Sequence, residues 1–335
     1  MSPIFLFFNF LVHPMKPLSN IKTALYALSV ISVIFFSGCG GGGGGGGGGD
    51  ASTSTPVVTN WTQFPVTATT LMEVTYANGQ YLAAGLNNTI LRSSDGANWV
   101  SAGHPVINAH YHSIKHLNGQ FMAAGWISGG GGPIFSATGA APWTFSIPFT
   151  SETLNSLEFG NGLYVVISES GTIYTSTNSS TWTLRASGTT RPLSGIVYAN
   201  GKFIVVGSAG TILTSPDGLV WSGVTSGTTT DLTSVIFANG RYVAVGSLGT
   251  VLTSADGTNW TTQNSGTTND LIGIATDAAA KYVVVGRAGT IMRSPDAISW
   301  TREESGTTRD LHWVALGNSG LVVVGDLAVT LRNPS

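Results

Sequence analysis

Residues 232–260, LTSVIFANGRYVAVGSLGTVLTSADGTNW, decide the fold because the chain repeats them. Close copies occupy residues 71–99 (LMEVTYANGQYLAAGLNNTILRSSDGANW) and residues 193–221 (LSGIVYANGKFIVVGSAGTILTSPDGLVW). Seven copies recur at about every 39 residues, and their first residues are Leu71, Tyr111, Leu154, Leu193, Leu232, Leu271 and Leu311. A period of this size is typical of folds that repeat one supersecondary unit.

The copy at residues 232–260 predicts four short strands. Residues 232–238 form the first strand, and Asn239-Gly240 favours a two-residue hairpin because both positions adopt positive φ. The Val-rich residues 241–246 form a second strand suited to burial on both faces. Residues 250–254 and 260–263 are the third and fourth strands, separated by a turn. Seven such copies predict an all-β fold, a seven-bladed β-propeller of four-stranded antiparallel blades.

The last copy is divided between the two ends of the domain. It stops at residues 331–335, just where its Trp should come, and the missing Asn60-Trp61-Thr62-Gln63 stands at the other end. We therefore predict that residues 61–66 pair with the C-terminal blade as its fourth strand. This pairing would close the ring and hide its strand edges. The propeller is assigned to residues 59–335.

The residues before the propeller predict export and a lipid anchor. Residues 1–38 are interpreted as a lipoprotein signal peptide, with the biological start at Met15, because the apolar run at residues 24–36 is shorter than the roughly 20 residues that span a bilayer. Ser37-Gly38-Cys39 resembles a bacterial lipoprotein processing site, at which Cys39 is lipid-modified. An uncleaved membrane anchor and an unmodified thiol are the alternatives. Residues 39–58, with their glycine run, are predicted to be a flexible linker.

The composition indicates which cellular compartment and which classes of partner are expected. The formal net charge is −2 and 9% of the residues are charged, so no basic field attracts nucleic acid. The single cysteine excludes disulfides, zinc clusters and other cysteine chemistry in the propeller. We expect no cofactor, no metal and no nucleic acid, and as partners the membrane through Cys39 and a protein or carbohydrate. Gly40, following Cys39, favours the outer membrane, with the propeller facing the periplasm or the cell surface.

A turn before the fourth strand recurs as Ser-x-Asp-Gly-x-x-Trp or a close variant. Its Asp and Trp residues are Asp95, Trp99, Asp217, Trp221, Asp256, Trp260, Asp296 and Trp300. Ser and Asp side chains can bind nearby backbone amides, Gly supplies positive φ, and the Trp can fill the blade, so we predict a structural role. A calcium site at Asp95, Asp217 or Asp256 is the alternative, although one carboxylate per turn is fewer than the roughly six to eight oxygens that calcium takes.

This turn resembles the Asp-box (BNR-like) turn of sialidase-superfamily propellers and of the photosystem II assembly-factor-like family, one residue tighter than is usual. The resemblance covers nearly all of residues 59–335. It implies the propeller fold, and it implies that the turn is structural and lies on the face away from the functional one.

Strand direction then selects the face on which binding residues are expected. The Asn-Gly hairpins and the Asp turns lie on one face of the ring, and the connections between blades and the turns between second and third strands lie on the other. The candidate binding residues on this second face are Trp126, Trp313, Arg191, Arg287, Arg309, Asp231, Asp270, Asp310, His110 and His112. Trp126 is expected to be an exposed aromatic in a glycine-rich loop, and exposed Trp is unusual without a partner.

Several of these residues have a second interpretation. His110, His112 and His116 share one parity along a strand and could bind a metal, but such histidines are more often only polar. Asp231, Asp270 and Asp310 recur at one repeat position, which favours capping of a loop. First strands should line a central channel, so Glu73, Lys115, Glu158 and Trp313 are expected to face it. Glu73 and Glu158 could then form an acid/base pair, or remain two solvated carboxylates.

The predicted function is a membrane-tethered, non-catalytic propeller scaffold for protein or glycan binding or assembly at the cell envelope. The alternative is a glycoside hydrolase of sialidase type acting on extracellular glycans. The resemblance implies that such an enzyme needs three arginines around a carboxylate, a Tyr–Glu nucleophile pair and an acidic Asp. Arg191, Arg287 and Arg309 could converge, but they come from neighbouring connections. Photosystem assembly follows only from the family likeness.

Overall fold

The computed structural model describes residues 61–66, 69–103, 108–139, 142–149 and 151–333. The predicted signal peptide, Cys39 and the linker at residues 39–58 lie outside these ranges. Within them, the chain forms seven four-stranded antiparallel sheets, which confirms the predicted seven-bladed propeller. No helix in this described part has the length and apolar character needed to cross a membrane.

The strands follow the repeat. The chain enters with β1 (Thr62–Pro65). Blade 1 contains β2 (Leu71–Ala77), β3 (Gln80–Gly85), β4 (Thr89–Ser93) and β5 (Val100–Ser101). Blade 2 contains β6 (Ala109–Leu117), β7 (Gln120–Ile127), β8 (Gly132–Ala137) and β9 (Thr144–Phe149). Blade 3 contains β10 (Leu154–Gly160), β11 (Leu163–Ser168), β12 (Ile173–Ser176) and β13 (Thr183–Arg185).

The second half of the ring has the same order. Blade 4 contains β14 (Leu193–Ala199), β15 (Lys202–Gly207), β16 (Thr211–Ser215) and β17 (Ser222–Val224). Blade 5 contains β18 (Leu232–Ala238), β19 (Arg241–Gly246), β20 (Thr250–Ser254) and β21 (Thr261–Asn264). Blade 6 contains β22 (Leu271–Thr276), β23 (Tyr282–Gly286), β24 (Ile291–Ser294) and β25 (Thr301–Glu303). Blade 7 contains β26 (Leu311–Gly317), β27 (Gly320–Gly325) and β28 (Val329–Asn333), completed by β1.

Blade 5 shows why the sequence forms these elements. Asn239 and Gly240 take positive φ angles of 50° and 75°, as the two-residue hairpin requires. Leu232 pairs with Gly246 and Ser234 with Val245, so the residue between them is a β-bulge, and the same register shift occurs in the first strand pair of every sheet. The fourth strand begins at Thr261, one residue later than predicted. Trp260 belongs to the turn instead, because its indole N–H donates to the Gly257 carbonyl.

The core lies between neighbouring blades rather than inside any one of them. Alternate residues of the second strands pack on opposite sides, so Val243 and Val245 of blade 5 contact Ile274 and Val284 of blade 6 in one buried cluster. The burial of each apolar side chain stabilises the fold by about 1.5–3 kcal/mol. Each blade therefore depends on both of its neighbours.

In several blades, a tyrosine hydroxyl donates a hydrogen bond to the preceding blade. Tyr242 is fully buried and its hydroxyl donates to the Ala199 carbonyl at 2.7 Å. Tyr282 donates in the same way to Ala238 at 2.7 Å. Tyr81 of blade 1 donates to Gly320 of blade 7, also at 2.7 Å. The same donor thus links the first blade to the last, although its acceptor there is the first residue of the second strand rather than the last residue of the first strand.

Strand pairing between the two ends of the domain closes the ring, as predicted. β1 pairs antiparallel with β28, with Thr62 opposite Arg332 and Pro65 opposite Val329. The Thr330 hydroxyl also donates to the Phe64 carbonyl at 2.9 Å. Behind this ladder, Val322 and Val324 of blade 7 pack with Leu71 and other residues of blade 1.

A series of hydrogen bonds and ion pairs connects Trp61, the residue before β1, to blade 6. The Trp61 indole N–H donates to Glu303 Oε2 at 2.9 Å. Glu303 Oε1 lies 2.6 Å from Arg293 Nε, and Arg293 also bonds Asp277 Oδ2 at 2.6 Å. Glu303 and Asp277 are buried, so loss of one partner would leave a desolvated charge, and such a loss costs about 3–5 kcal/mol.

Deletion of residues 60–66 should therefore destabilise the whole ring. It removes β1, exposes the edge of β28 and takes away the Trp61 bond to Glu303. We expect aggregation or a melting temperature lower by on the order of 10 °C, measured by circular dichroism. Deletion of residues 51–57 is the matched control and should leave the melting temperature unchanged. A soluble truncation that melts cooperatively at the wild-type temperature would contradict the closure argument.

Candidate functional site

The antiparallel order gives the ring two distinct faces. We call the side with the blade-to-blade connections and the second-to-third-strand turns the connection face, and the other side the hairpin face. Contacts follow this division: Asp231 of a connection bonds Ala209 of such a turn, while Lys202 of a hairpin bonds Asp256 of an Asp turn in the next blade. All ten predicted binding residues lie on the connection face or line the channel that opens onto it.

Three aspartates of the connection face cap the turns between second and third strands. Asp231 accepts the N–H of Ala209 at 2.8 Å, Asp270 that of Leu248 at 2.9 Å and Asp310 that of Ala288 at 2.9 Å. The residue that each Asp holds has positive φ, between 51° and 55°. A non-glycine residue is uncommon in this conformation, and a fixed hydrogen bond helps to hold it there.

Two of the predicted arginines bond carbonyl groups of second-to-third-strand turns, in blades 4 and 7. Arg191 donates to the carbonyl of Ala209 at 3.3 Å, and Arg309 donates to that of Leu327 at 3.0 Å. Ala209 is thus held through its N–H by Asp231 and through its carbonyl by Arg191. Arg287 instead forms an ion pair with Asp270, with Nε 2.9 Å from Oδ2. Each of the three arginines therefore contacts a different blade, and the structure shows no arginine triad formed by them.

His110 occupies in blade 1 the place that an Asp has in blades 4, 5 and 6. It directly precedes the first repeat residue, and its Nδ1 accepts the N–H of Asn87, another residue with positive φ, at 3.4 Å. Because this nitrogen accepts, it carries no proton in the bonded state. Burial lowers the pKa of His110 below its ordinary value, which favours the same neutral form.

Trp126 stacks on His110, which corrects one prediction. The two rings lie 4.3 Å apart at 8°, because the residues are direct partners across β6 and β7. Trp126 is consequently half-buried and is not the exposed aromatic that the glycine-rich loop predicted. The stack covers one face of the indole and one face of the imidazole.

The three histidines of β6 are not brought together as a metal site. The bulge between Tyr111 and Ser113 falls at His112 and interrupts the alternation, so the predicted shared parity is wrong. His116 pairs with Phe121 beside the hairpin, about 20 Å along the strand from His110 at roughly 3.3 Å per residue. Among the described residues, no group of three or more His, Cys, Asp or Glu side chains could hold a metal ion.

Blade 7 has its own polar link on the connection face. His312 Nε2 lies 2.9 Å from Asp326 Oδ1, which also accepts the Thr70 hydroxyl of the segment leading into blade 1. Burial raises the pKa of Asp326, but the hydrogen bond and charge of His312, with smaller contributions from Thr70 and Arg287, bring it below its ordinary value. Asp326 is therefore ionised at neutral pH.

The central channel contains the charged residues that were expected to line it. Its volume is about 500 Å³, and Glu73, Lys115, Glu158 and Trp313 are among the lining residues. Glu73 is buried and accepts the Ile114 N–H at 2.8 Å, so it links the first strands of blades 1 and 2. Glu158 faces Lys115 at 3.4 Å. The carboxylates are thus engaged separately, one by a backbone amide and one by an ammonium group.

The Asp turns on the hairpin face are closed by their own side chains. Asp95 Oδ1 accepts the N–H groups of Ala97 and Asn98 at 2.9 and 2.8 Å, and the Trp99 indole donates to Gly96 at 3.2 Å. The same bonds form around Asp217 and Asp256, and Asp296 accepts two backbone N–H groups in the same way. These backbone N–H groups hold the pKa of each of the four aspartates below its ordinary value.

A wide groove of about 1470 Å³ lies between blades 3 and 4. It is lined by the connections at residues 186–191 and 225–229, by the end of β13 and by parts of β16 and β17. Its lining is rich in glycine, serine and threonine, with Leu184 58% exposed at one side. Arg185 and Arg191 are its two charged residues, and none of the described lining residues is acidic.

Sequence reasoning missed this groove, although the pattern was present. Four connections repeat Ser-Gly-Thr-Thr, at residues 187–190, 226–229, 265–268 and 305–308, and the first two of them line the groove. In each, the Ser hydroxyl donates to the carbonyl of the first Thr at 3.0–3.2 Å, which fixes the loop. Only Arg191 of the groove belonged to the predicted set.

The fold and the face geometry define a propeller that offers backbone, hydroxyl and guanidinium groups for binding. No protein-family model matches the sequence, and no curated protein matches it. Solved structures do. A structure of YCF48 bound to D1 peptide has a TM-score of 0.65 at 16% identity, covering 85% of this chain and 97% of that chain. YCF48 from Cyanidioschyzon merolae has a TM-score of 0.65 at 15% identity, covering 82% and 98%.

Protein-binding propellers of other kinds are similar as well. A chain of the mitotic checkpoint complex has a TM-score of 0.66 at 10% identity, covering 91% of this chain and 99% of that chain. The WD40 propeller domain of Doa1 has a TM-score of 0.65 at 12% identity, covering 83% and 98%. At such identities the similarity establishes the fold alone.

Replacement of Trp221 by Ala should destabilise blade 4 strongly. Trp221 is 9% exposed, packs near Phe203 and donates to the Gly218 carbonyl. Truncation of a buried Trp costs about 3–5 kcal/mol, which corresponds to a fall in melting temperature of about 10 °C. The neighbouring Val220 is 68% exposed, so Val220→Ala is the control and should change little. Equal melting temperatures for the two variants would refute the packing role of Trp221.

Stability should fall in mild acid because of His110. The unfolded chain takes up the proton first, near the ordinary pKa of about 6.5, because the folded pKa is the lower one. The stabilising contribution is complete above that pH and is lost as the pH falls through the folded pKa. We expect His110→Asn to flatten the fall in melting temperature between about pH 7 and 5. His116→Asn is the control, and a fall unaffected by His110→Asn would contradict the capping role.

Proposed function

We propose that this chain is a non-catalytic binding scaffold of the bacterial cell envelope. In this proposal it is held at the membrane by a lipid on Cys39, and it binds an extended segment of a protein partner in the groove between blades 3 and 4. The observation that carries the proposal is the lining of that groove, in which backbone and hydroxyl groups surround an exposed Leu184 and two arginines.

The groove chemistry suits a peptide in an extended conformation. Gly171 and Gly210 are buried, and Cβ atoms on them would lie 2.8 Å from the Arg191 carbonyl oxygen and 2.0 Å from the Thr228 carbonyl oxygen, so these glycines let the connections pack closely against the neighbouring turns. Exposed backbone at Gly188 and Gly227, together with the groove hydroxyl groups, can bond the amides of an extended chain, and an apolar contact such as Leu184 gives alternate side chains a place to pack. Arg191, which is exposed, favours a carboxylate on the ligand.

The structural neighbours support a protein partner in general. YCF48 has the same fold and has been solved with a peptide bound, and other neighbours belong to protein complexes. We retain the Asp-box interpretation of the Ser-x-Asp-Gly turns as part of the proposal, with those turns on the face away from the groove. The sialidase alternative gains no support, because Arg191 and Arg309 bond to turns of two different blades and Arg287 pairs with Asp270 of a connection.

Selection of peptides on the groove tests this proposal. Peptides enriched from a random library on the full chain should bind Leu184→Asp and Arg191→Ala about tenfold more weakly, by fluorescence polarisation. Thr262 has the same place in blade 5 as Leu184 in blade 3, so Thr262→Asp is the matched control and should bind normally. Peptides that bind all variants equally would contradict the groove assignment, and turnover of a fluorogenic sialoside would contradict the non-catalytic assignment.

Labelling of the protein in bacterial cells tests the lipid anchor. Wild-type protein should incorporate a palmitate analogue and sediment with membranes, since two or more acyl chains bind a bilayer far more firmly than one. Cys39→Ser should lose both properties. An unlabelled wild-type protein would exclude the lipid anchor while leaving the peptide measurement valid.

A further inference from the structure

The central channel has two chemically different walls at one level. In each first strand, the fifth residue counted from the first repeat residue faces the channel, as shown by its place among the lining residues and by its equivalent register in every sheet. We call this ring of seven side chains the channel waist. Blades 1, 2 and 3 contribute Thr75, Lys115 and Glu158, whereas blades 4 to 7 contribute Val197, Ile236, Ala275 and Ala315. The waist is therefore polar on one side and aliphatic on the other.

The ion pair on the polar wall is loosely engaged. Lys115 Nζ lies 3.4 Å from Glu158 Oε2 and 3.4 Å from the Ile196 carbonyl oxygen. Charge-assisted hydrogen bonds of this type are normally about 2.7–2.9 Å long. The side chains of Lys115 and Glu158 remain 19% and 17% exposed. A ligand can therefore form shorter contacts with both groups than they form with each other.

The opposite wall exposes apolar surface to the channel. Val197, Ile236 and Ala275 are half-buried, although the residue before each of them is fully enclosed between blades. Trp313 adds an aromatic surface toward the connection face, and Gly273 leaves room for it, because a Cβ on Gly273 would lie 2.9 Å from the Trp313 Cα. Cavities of roughly 300–1,000 Å³ with apolar walls and a few polar groups are the usual form of small-molecule sites, and this channel of about 500 Å³ falls in that range.

We propose that the channel is a ligand site separate from the groove, and that it binds a small zwitterion with an apolar body, the chemistry of an α-amino acid with an apolar side chain. The ligand carboxylate pairs with Lys115 and its ammonium group with Glu158, while its side chain lies against Val197 and Ile236. The waist holds one ammonium and one carboxylate, and the third charged group of the channel, Glu73, is bonded by the Ile114 N–H, so a zwitterion pairs with both waist groups whereas a simple acid or amine would pair with only one of them.

Isothermal titration of the full chain with L-phenylalanine and L-leucine tests the proposal. We expect saturable binding of at least one of them. 3-Phenylpropionate lacks the ammonium group, phenethylamine lacks the carboxylate and glycine lacks the apolar body, and each should bind about tenfold more weakly or worse. Absence of saturable heat with both amino acids would overturn the proposal. Equal binding of 3-phenylpropionate or phenethylamine would overturn the zwitterion assignment.

Variants locate the site. Lys115→Met and Ile236→Thr should each weaken amino-acid binding about tenfold from opposite walls, with an unchanged melting temperature showing that the ring remains folded. Lys202→Met is the control, because Lys202 bonds Asp256 on the hairpin face, and it should bind normally. Leu184→Asp should also bind normally, which separates this result from that of the groove. Binding that is insensitive to both channel variants would place the ligand elsewhere and overturn the proposal.

Discussion

The ladder between β1 and β28 brings the two ends of the domain into one sheet, and both faces and the channel exist only when it forms. It joins residues more than 260 positions apart along the chain, as the bond from Thr330 to Phe64 shows. The entropic cost of closing such a loop grows only slowly with its length, so a modest set of contacts can hold it. Four residue pairs of the ladder, the Trp61–Glu303 bond and the packing of blade 7 on blade 1 supply these contacts.

A second constraint explains the charged residues of the connection face. Each turn between the second and third strands in blades 4, 5 and 6 places one non-glycine residue at positive φ. The backbone N–H of that residue is not bonded by a neighbouring strand. Asp231, Asp270 and Asp310 accept those N–H groups, and Arg191 accounts for one of the carbonyls. Charges that look like a binding surface in the sequence are thus partly used to fix loops, which leaves the groove and the channel as the places where groups remain available.

The sequence predicts most of the fold because its strongest patterns are local. The Asn-Gly hairpins and the alternation of the first strands depend on neighbours within a few positions. The boundary at Trp260 was missed because a side-chain bond to Gly257 holds that residue in the turn. The site residues were harder to predict because their partners are distant. His110 meets Trp126 through strand register, and Arg191 meets Ala209 across a blade boundary.

Differences between repeats are more informative than the repeat itself. The fourth residue counted from the first repeat residue is a buried aliphatic in all seven blades, from Val74 to Val314, because the packing between blades is the same everywhere. The fifth residue faces the channel, and there the chain varies from Lys115 and Glu158 to Val197 and Ile236. Packing does not require that variation, since an aliphatic residue fits at this place in four blades. A ring with seven equivalent positions selects one orientation of an asymmetric ligand only if its sequence breaks the symmetry, and the waist does so by placing charged groups on one wall and apolar groups on the other.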